Sequence, residues 1–399
     1  MKLYDWIYNK LVMSNYKNFD IVPDVNEWNR FLSSLPEPKD CIDKAYNKYL
    51  CKKYYYSGKK LAAMRAVGGI IVFFGNLLSR FPVSVKAEPS PKDRLLFEVV
   101  KDIDPKDVVP NEVLAAYSET IRVFTSRRFI GRLCRQARTL FEECKKRYPD
   151  DVYFHFLVYK DMVLHSHYLK KYNPSATMVY VSERNIASPV ITELYEQRGG
   201  KFISFMHGDY LLQMIQAYMQ FSEYYVWDAA YIDMFVNDLH CDPGQFKIYT
   251  PGKLLKKWDL ENVTPEYYCT YYFSGCSRDS IGKIADAFAQ LRDAGKKCKV
   301  RLHPRWGFND DLIRERFRDF PIEEAKDVSM EQSLASTEYA IGLNSTALHE
   351  AYTEGRKVVI DDISSPGDFK SLEDRRYIML RKEHVLFSGL ISNAMDKTE

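Results

Sequence analysis

The sequence lacks the short motifs that identify several large enzyme classes. It contains no G-x-G-x-x-G fingerprint, no Walker phosphate loop and no H-E-x-x-H, which argues against dehydrogenases, P-loop NTPases and zincin proteases. Its 8 cysteines include no C-x-x-C pair, so the sequence predicts neither a zinc site nor a disulfide framework. We find no Asp-x-Asp motif after a predicted strand, and we expect no metal or other cofactor.

The chain also has little net charge and no long apolar run. Lys and Arg total 57 against 54 for Asp and Glu, which gives little reason to expect nucleic acid as a partner. The densest apolar run, Val67 to Leu78, is well short of the ~20 residues that a membrane span needs, and it predicts a buried element. The start, Met1 to Met13, is typical of an amphipathic helix rather than a signal peptide, so we expect a cytoplasmic protein.

The pattern of apolar residues changes near Asp151. Residues 1–150 are predicted to be mainly helical, with apolar residues at helical spacing from Glu112 to Tyr148. In residues 151–255, short β-rich runs alternate with amphipathic helical runs, as in βαβ units. The predicted strands are Met178 to Ser182, Lys201 to Met206, Tyr224 to Trp227 and Phe246 to Tyr249, and the predicted helices include Ser188 to Gln197 and Tyr210 to Phe221.

A linker from Thr250 to Glu266 separates this block from a second alternation in residues 265–399. The predicted strands there are Tyr267 to Ser274, Lys299 to Leu302, Tyr339 to Leu343 and Lys357 to Ile360, and the predicted helices include Ser280 to Ala294 and Thr346 to Glu354. We therefore expect an α/β fold of two Rossmann-like domains facing across a cleft, with a helical N-terminal portion. Ligands in such sheets bind beyond the carboxyl ends of the strands.

The first candidate site is His207-Gly208-Asp209, between a predicted strand and a predicted helix. Imidazole and carboxylate are well suited to accept a proton from a substrate hydroxyl near neutral pH. The alternative is structural, because Asp209 is also placed to cap the helix that follows. We favour His207 as the base, since its side chain should point into the cleft, and keep Asp209 as the second candidate.

Two further candidates follow strands of the second domain. Arg301, His303 and Arg305, with Pro304 setting the direction of the chain, suit the binding of phosphate oxygens, although a solvated basic turn has the same composition. Asn344-Ser345-Thr346, with Glu350 a turn later, predicts an anion site at a helix N-terminus or a simple helix cap.

Two weaker features complete the set. Ser274 and Gly275 close the first strand of the second domain and could line the same site. His165 and His167 lack acidic neighbours at metal-ligand spacing, and we interpret them as surface residues.

In their order along the chain, these motifs resemble those of bacterial capsule and lipopolysaccharide glycosyltransferases of the GT-B fold. Sialyltransferase and polysialyltransferase families are similar in their His-Pro and Ser-Thr motifs, here His303-Pro304 and Ser345-Thr346. CDP-glycerol (teichoic acid) transferases are similar in a His-Gly, here His207-Gly208, followed by a later His-Pro. The resemblance covers about Met178 to Asp361.

The resemblance implies a role for most of the candidate residues. His303, Pro304, Ser345 and Thr346 would contact the phosphate of a CMP-type donor, and Glu350 would lie near the nucleotide. For the base, sialyltransferases favour a carboxylate and teichoic-type enzymes a histidine. Asp209 and His207 thus both remain candidates.

We therefore expect an inverting, metal-independent glycosyltransferase. It would move a sialic-acid-like or Kdo-like sugar from a CMP donor on the second domain to a surface polysaccharide or lipopolysaccharide acceptor on the first. Such acceptors are usually lipid-linked, so we also expect contact with the inner face of the plasma membrane through Lys2 to Lys17 or Lys52 to Lys60. The alternatives are a CDP-polyol phosphotransferase, a nucleotide-sugar epimerase of the same fold and a non-catalytic glycan-binding protein.

Overall fold

The chain forms two compact units in a computed structural model. The first comprises Met1–His207 and Leu212–Pro251, and the second comprises Gly208–Leu211 and Gly252–Glu399. The structure describes residues 25–54, 58–79, 94–98, 104–123, 130–172, 176–181, 183–251, 255, 258, 260, 262–304 and 309–396.

The first unit is built on a six-stranded sheet. Its strands are β1 Arg94–Glu98, β2 Glu119–Val123, β3 Thr177–Val179, β4 Phe202–Phe205, β5 Glu223–Val226 and β6 Phe246–Ile248. Its helices are α1 Val25–Ser34, α2 Cys41–Tyr54, α3 Gly58–Ser79, α4 Pro105–Val108, α5 Asn111–Ala115, α6 Arg135–Arg147, α7 Val152–Lys171, α8 Ser188–Glu196 and α9 Ala229–Asp233. The strand order is β2-β1-β3-β4-β5-β6, and every pairing is parallel.

The second unit contains another six-stranded sheet. Its strands are β7 Tyr267–Tyr272, β8 Cys298–Arg301, β9 Ile322–Glu323, β10 Thr337–Gly342, β11 Lys357–Ile360 and β12 Val385–Leu386. Its helices are α10 Arg278–Asp293, α11 Asp310–Arg316, α12 Met330–Ala335, α13 Thr346–Thr353, α14 Pro366–Asp374 and α15 Phe387–Met395. The strands pair in parallel in the order β12-β11-β10-β7-β8-β9. Two parallel sheets with intervening helices confirm the predicted α/β class.

The stretch from Glu112 to Tyr148 is not continuously helical, and the prediction is wrong at β2. Thr120, Ile121 and Val123 are β-branched residues that favour an extended backbone. They pair in parallel with β1, which also lies in the portion predicted to be helical. The pairing of β2 with β1 therefore overrides the helical spacing of the apolar residues in this stretch.

The segment from Tyr210 to Phe221 is also not the predicted helix. It contains only a three-residue 3-10 turn at Met214–Gln216, although most of its residues are buried. The fully buried Lys48 ammonium donates hydrogen bonds to the carbonyls of Ile215 and Ala217 at 2.7 and 3.3 Å. Lys48 of α2 thus supplies donors to two carbonyls that a helix would satisfy with its own amides. The backbone can stay non-helical while these two carbonyls keep hydrogen-bond partners.

The apolar run from Val67 to Leu78 lies in α3, and the prediction that it is buried holds for one face only. That face packs on α7, where a Cβ at Gly75 would collide with the Tyr159 ring. The opposite face exposes large apolar side chains. Among the helices that the structure describes, none is both long and apolar enough to cross a membrane.

His165 lies in the core, so its interpretation as a surface residue is wrong. Its ring is fully buried in α7 among Tyr168, Tyr180, Tyr195 and Phe202, and its Nδ1 lies 3.1 Å from the Tyr195 hydroxyl. Burial is the main cause that lowers the pKa of His165, to about 3. The folded protein thus keeps this imidazole neutral at pH values where the unfolded chain takes up a proton.

We expect His165 to make the protein sensitive to mild acid. Below a pH of about 6.5 only the unfolded chain binds this proton, so stability falls as pH decreases, by about 2 kcal/mol at pH 5. His165→Phe removes this contribution and retains an aromatic ring. Urea unfolding of both proteins at about pH 7.5 and pH 5 measures it, and a free-energy difference between them that does not change with pH would contradict the assignment.

Candidate functional site

The chain reverses its direction of travel across the second sheet between β7 and β10. From β7 it proceeds outward through β8 and β9, then returns to place β10 on the other side of β7. Because all strands are parallel, their carboxyl ends share one edge of the sheet. Ligands of open α/β sheets bind at such a switch point, so the loops after β7 and β10 are the expected binding elements.

Ser274 and Gly275 lie in the loop after β7, because the strand ends at Tyr272 rather than at Ser274. Gly275 is exposed, and a Cβ there would meet no atom within 4 Å. The Cys276 amide donates to the Ser274 carbonyl at 2.7 Å, and the Ser277 hydroxyl then caps α10 by accepting from the Ser280 amide. The loop is thus a tight turn with an open surface at the switch point.

Asn344, Ser345 and Thr346 follow β10 and begin α13. The Ser345 hydroxyl accepts a hydrogen bond from the Ala347 amide at 3.2 Å, so the capping role is confirmed. The residue at the third helical position is Leu348, so Glu350 does not complete a capping box here. A helix N-terminus carries partial positive charge, and this one is positioned at the switch point.

Asp209 does not cap a helix, because no helix begins there. The next helical residues are Met214–Gln216. Instead, the Asp209 carboxylate lies 3.0 Å from Nε2 of His349 on α13, and the Asp209 side chain is only 5% exposed. Both residues belong to the second unit. The structural alternative raised for Asp209 is therefore wrong, and the carboxylate has a histidine partner instead.

Sequence reasoning missed His349. It lies four residues after the Ser345 cap, which places the two on one face of the helix. Its side chain is 13% exposed. A histidine four residues after a predicted cap would have been the only indication in the sequence.

Tyr377 is the second residue that the sequence did not reveal. It is fully buried, and its hydroxyl has no hydrogen-bond partner among the described residues. Burial raises the pKa of Tyr377 well above its ordinary value, the Asp209 charge raises it further, and the nearby Ser345 backbone lowers it. The Tyr377 hydroxyl therefore stays protonated near Asp209 and the start of α13.

The loop after β8 contains the predicted basic cluster only in part. His303 is half-buried and Pro304 exposed, at the same edge of the sheet, while Arg305 lies outside the described residues. Arg301 does not point to a ligand: it is buried and donates to Glu323 at 3.2 Å and to the Val328 carbonyl at 2.9 Å.

Two candidates remain, His207 and Glu350. His207 is half-buried after β4 and belongs to the first unit. Glu350 is half-buried on α13. Within the described residues, no three His, Cys, Asp or Glu side chains gather as a metal site.

The position of β1 corrects the prediction that no Asp-x-Asp motif follows a strand. Asp102-Ile103-Asp104 does follow a strand, since β1 ends at Glu98. The Asp104 carboxylate accepts from the Lys106 amide at the start of α4 and from Arg122 at 2.7 Å. The sequence argument against an Asp-x-Asp motif after a strand therefore fails.

Comparison with protein-family models and with curated proteins gives no match to the sequence. Among solved structures, the wall teichoic acid polymerase TagF, as a variant soaked with CDPG, is 10% identical with a TM-score of 0.44, covering 86% of this chain and 89% of that chain. The lipopolysaccharide outer core galactosyltransferase WaaB is 10% identical with a TM-score of 0.39, covering 76% and 95%.

A third similar structure is a mutant of S. aureus TarM in complex with UDP, which is 13% identical with a TM-score of 0.38. The match covers 59% of this chain, which spans half of the TarM chain. Similarity at this level does not establish a shared function. The sialyltransferase resemblance and the CMP donor stay predictions.

Proposed function

We propose that this protein is a glycosyltransferase that binds a nucleotide-activated sugar at the carboxyl edge of its second sheet. The observation that carries the proposal is that the Asp209 carboxylate lies 3.0 Å from His349, a residue of the helix whose N-terminus is capped by Ser345. The helix α13 thus supplies both the histidine partner of the proton acceptor and an N-terminus that can bind an anion. Transfer of a sugar from a phosphate requires both functions.

In the proposed reaction, an acceptor hydroxyl attacks the anomeric carbon of the donor. A new carbon–oxygen bond forms as the bond from that carbon to the phosphate oxygen breaks, which inverts the anomeric configuration. The hydroxyl proton passes to the Asp209–His349 pair, since Asp209 is oriented by its histidine partner. Asp209 replaces His207 as our favoured base because it has this partner and is not a helix cap.

The leaving phosphate gains negative charge as the bond breaks. The N-terminus of α13 would stabilise that charge, and the protonated Tyr377 hydroxyl near Ser345 would supply a hydrogen-bond donor. Ser274 and Gly275, on the neighbouring strand end, would face the same group, and His303 would approach from the loop after β8. We propose no metal in this reaction.

The finer assignment rests on the sequence resemblance. We propose a cytidine nucleotide as the donor carrier, a sialic-acid-like or Kdo-like sugar as its cargo, and a surface polysaccharide or lipopolysaccharide as the acceptor. The motifs that support it are His303-Pro304 and Ser345-Thr346.

Thermal shift against free CMP, CDP, UDP and GDP tests the donor. We expect CMP or CDP to give the largest increase in Tm. The shift is measurable because a ligand at ~100 times its Kd stabilises the protein by about 2.7 kcal/mol. A larger shift with UDP or GDP would contradict the cytidine assignment. Release of nucleotide from CMP-sugars only when a glycan acceptor is added would support transfer, whereas release without acceptor, or no release with any donor, would refute it.

A further inference from the structure

The exposed face of α3 consists of large apolar side chains. Ile70, Phe73, Phe74 and Leu77 are 60%, 69%, 51% and 51% exposed. Their spacing of three and four residues places them in one stripe along the helix. A cluster of this kind on a protein surface usually marks a site of interaction.

This stripe is distinct from the face of α3 that packs within the first unit. Met64 and Val72 are buried, and Gly68 and Gly75 approach Phe156 and Tyr159 of α7 closely. The helix is therefore already anchored by one face. Its exposed stripe does not stabilise the packing on α7 and is available for another contact.

The apolar surface continues beyond α3. The Tyr159 ring fills the space at Gly75, and its hydroxyl donates to the Gly131 carbonyl at 2.7 Å. Ile130, directly before Gly131, is 48% exposed. Arg132, two residues later, is exposed and basic.

The charged residues in the sequence of α3 are all basic: Lys59, Lys60 and Arg65. Between Asp43 and Glu88 the sequence contains no acidic residue, and its charged residues are all basic: Lys44, Lys48, Lys52, Lys53, Lys59, Lys60, Arg65, Arg80 and Lys86. Lys48 and Lys52 are buried, while Arg65 on α3 is exposed and forms an ion pair with Asp151 at 3.3 Å. An apolar stripe within a basic segment complements a surface that is apolar inside and anionic outside.

We propose that the stripe of Ile70, Phe73, Phe74 and Leu77 docks on an anionic membrane surface, with α3 lying in the plane of the lipid headgroups. A helix in this position inserts its apolar face by roughly 5–10 Å while basic residues contact anionic lipids. The stripe differs from the segments predicted from the sequence: Lys2 to Lys17 lies outside the described residues, and Lys52 is buried. The inference does not depend on the proposed enzymatic activity.

Co-sedimentation of the full chain with vesicles tests the proposal. We expect binding to phosphatidylcholine vesicles that contain phosphatidylglycerol, weaker binding to phosphatidylcholine alone, and a decrease with added salt. Phe73→Ser combined with Phe74→Ser should weaken binding to the anionic vesicles at least tenfold. The matched control is Ile248→Ser, which removes a side chain that is 59% exposed on β6 and should leave binding unchanged.

Ile70→Ser combined with Leu77→Ser serves as a second variant of the same stripe if the first has a lowered Tm. Wild-type protein that does not bind anionic vesicles, or folded stripe variants that bind as tightly as wild type, would overturn the proposal. So would a dimer in sedimentation velocity that the stripe variants dissociate while vesicle binding persists, because the occupant would then be a second copy.

Discussion

Asp209→Asn is expected to lower the rate of sugar transfer by roughly 10²–10⁴-fold, the usual effect of removing a general base. The amide retains the size of the carboxylate and can still accept a hydrogen bond from His349, so the fold should be preserved. The loss would therefore come from the missing proton acceptor. Turnover with a CMP-sugar and a glycan acceptor, measured beside Tm, provides the test.

His207→Ala is the informative comparison, because His207 is only two residues away and was the base favoured by position. We expect it to retain turnover within about tenfold of wild type, well short of the 10²-fold loss of a general base. His349→Gln should reduce turnover less than Asp209→Asn, since glutamine can still donate to the carboxylate. If His207→Ala abolishes transfer and Asp209→Asn remains active, the base is His207.

Glu323→Ala is expected to destabilise the second unit by about 3–5 kcal/mol, the range seen when one partner of a buried ion pair is removed. Glu323 pairs with Lys299 and with Arg301, whose side chains are 2% and 6% exposed, and it accepts from the Ser333 hydroxyl at 2.5 Å. Burial lowers the pKa of Lys299 although Glu323 opposes that effect. Without Glu323, buried cations would lose their partner.

The adjacent Glu324 is the matched control. It pairs with Arg314 and Lys326 at the surface, where water screens the charges. Glu324→Ala should leave the urea midpoint nearly unchanged. Equal shifts for the two variants would show that the Glu323 network is not a stabilising feature of the second sheet.

The strands and helices around the candidate site were predictable because their signals are local. The run from Tyr339 to Leu343 is apolar, and the Ser345 hydroxyl stands directly before a helical pattern, as β10 and α13 confirm. The pairing of Asp209 with His349 was not predictable. These residues are 140 positions apart, and the sequence contains no pattern that joins them.

The non-helical course of Tyr210 to Phe221 was also not predictable, because it depends on a residue far away in the sequence. Helical spacing of its apolar residues predicts a helix when hydrogen bonds must be satisfied within the segment. Lys48 on α2 satisfies two of its carbonyls from outside, so tertiary structure changed the outcome. His165 was misjudged in the same way, because the ring cluster that buries it comes from separate elements.

The sequence by itself determined the α/β class and most of the strands after residue 151, since alternating apolar strands and amphipathic helices bury their apolar faces in parallel sheets covered by helices. It did not reveal β1 and β2 of the first sheet. It also determined the Ser345 cap and the strand-end loops of the second sheet, which depend on a few neighbouring residues. Tertiary structure alone decided which carboxylate meets a histidine, which tyrosine hydroxyl stays unpaired and which face of α3 remains exposed. The physical reason is that burial and hydrogen-bond partners are set by residues far apart in the chain, whereas periodicity and capping are set by residues within one or two turns.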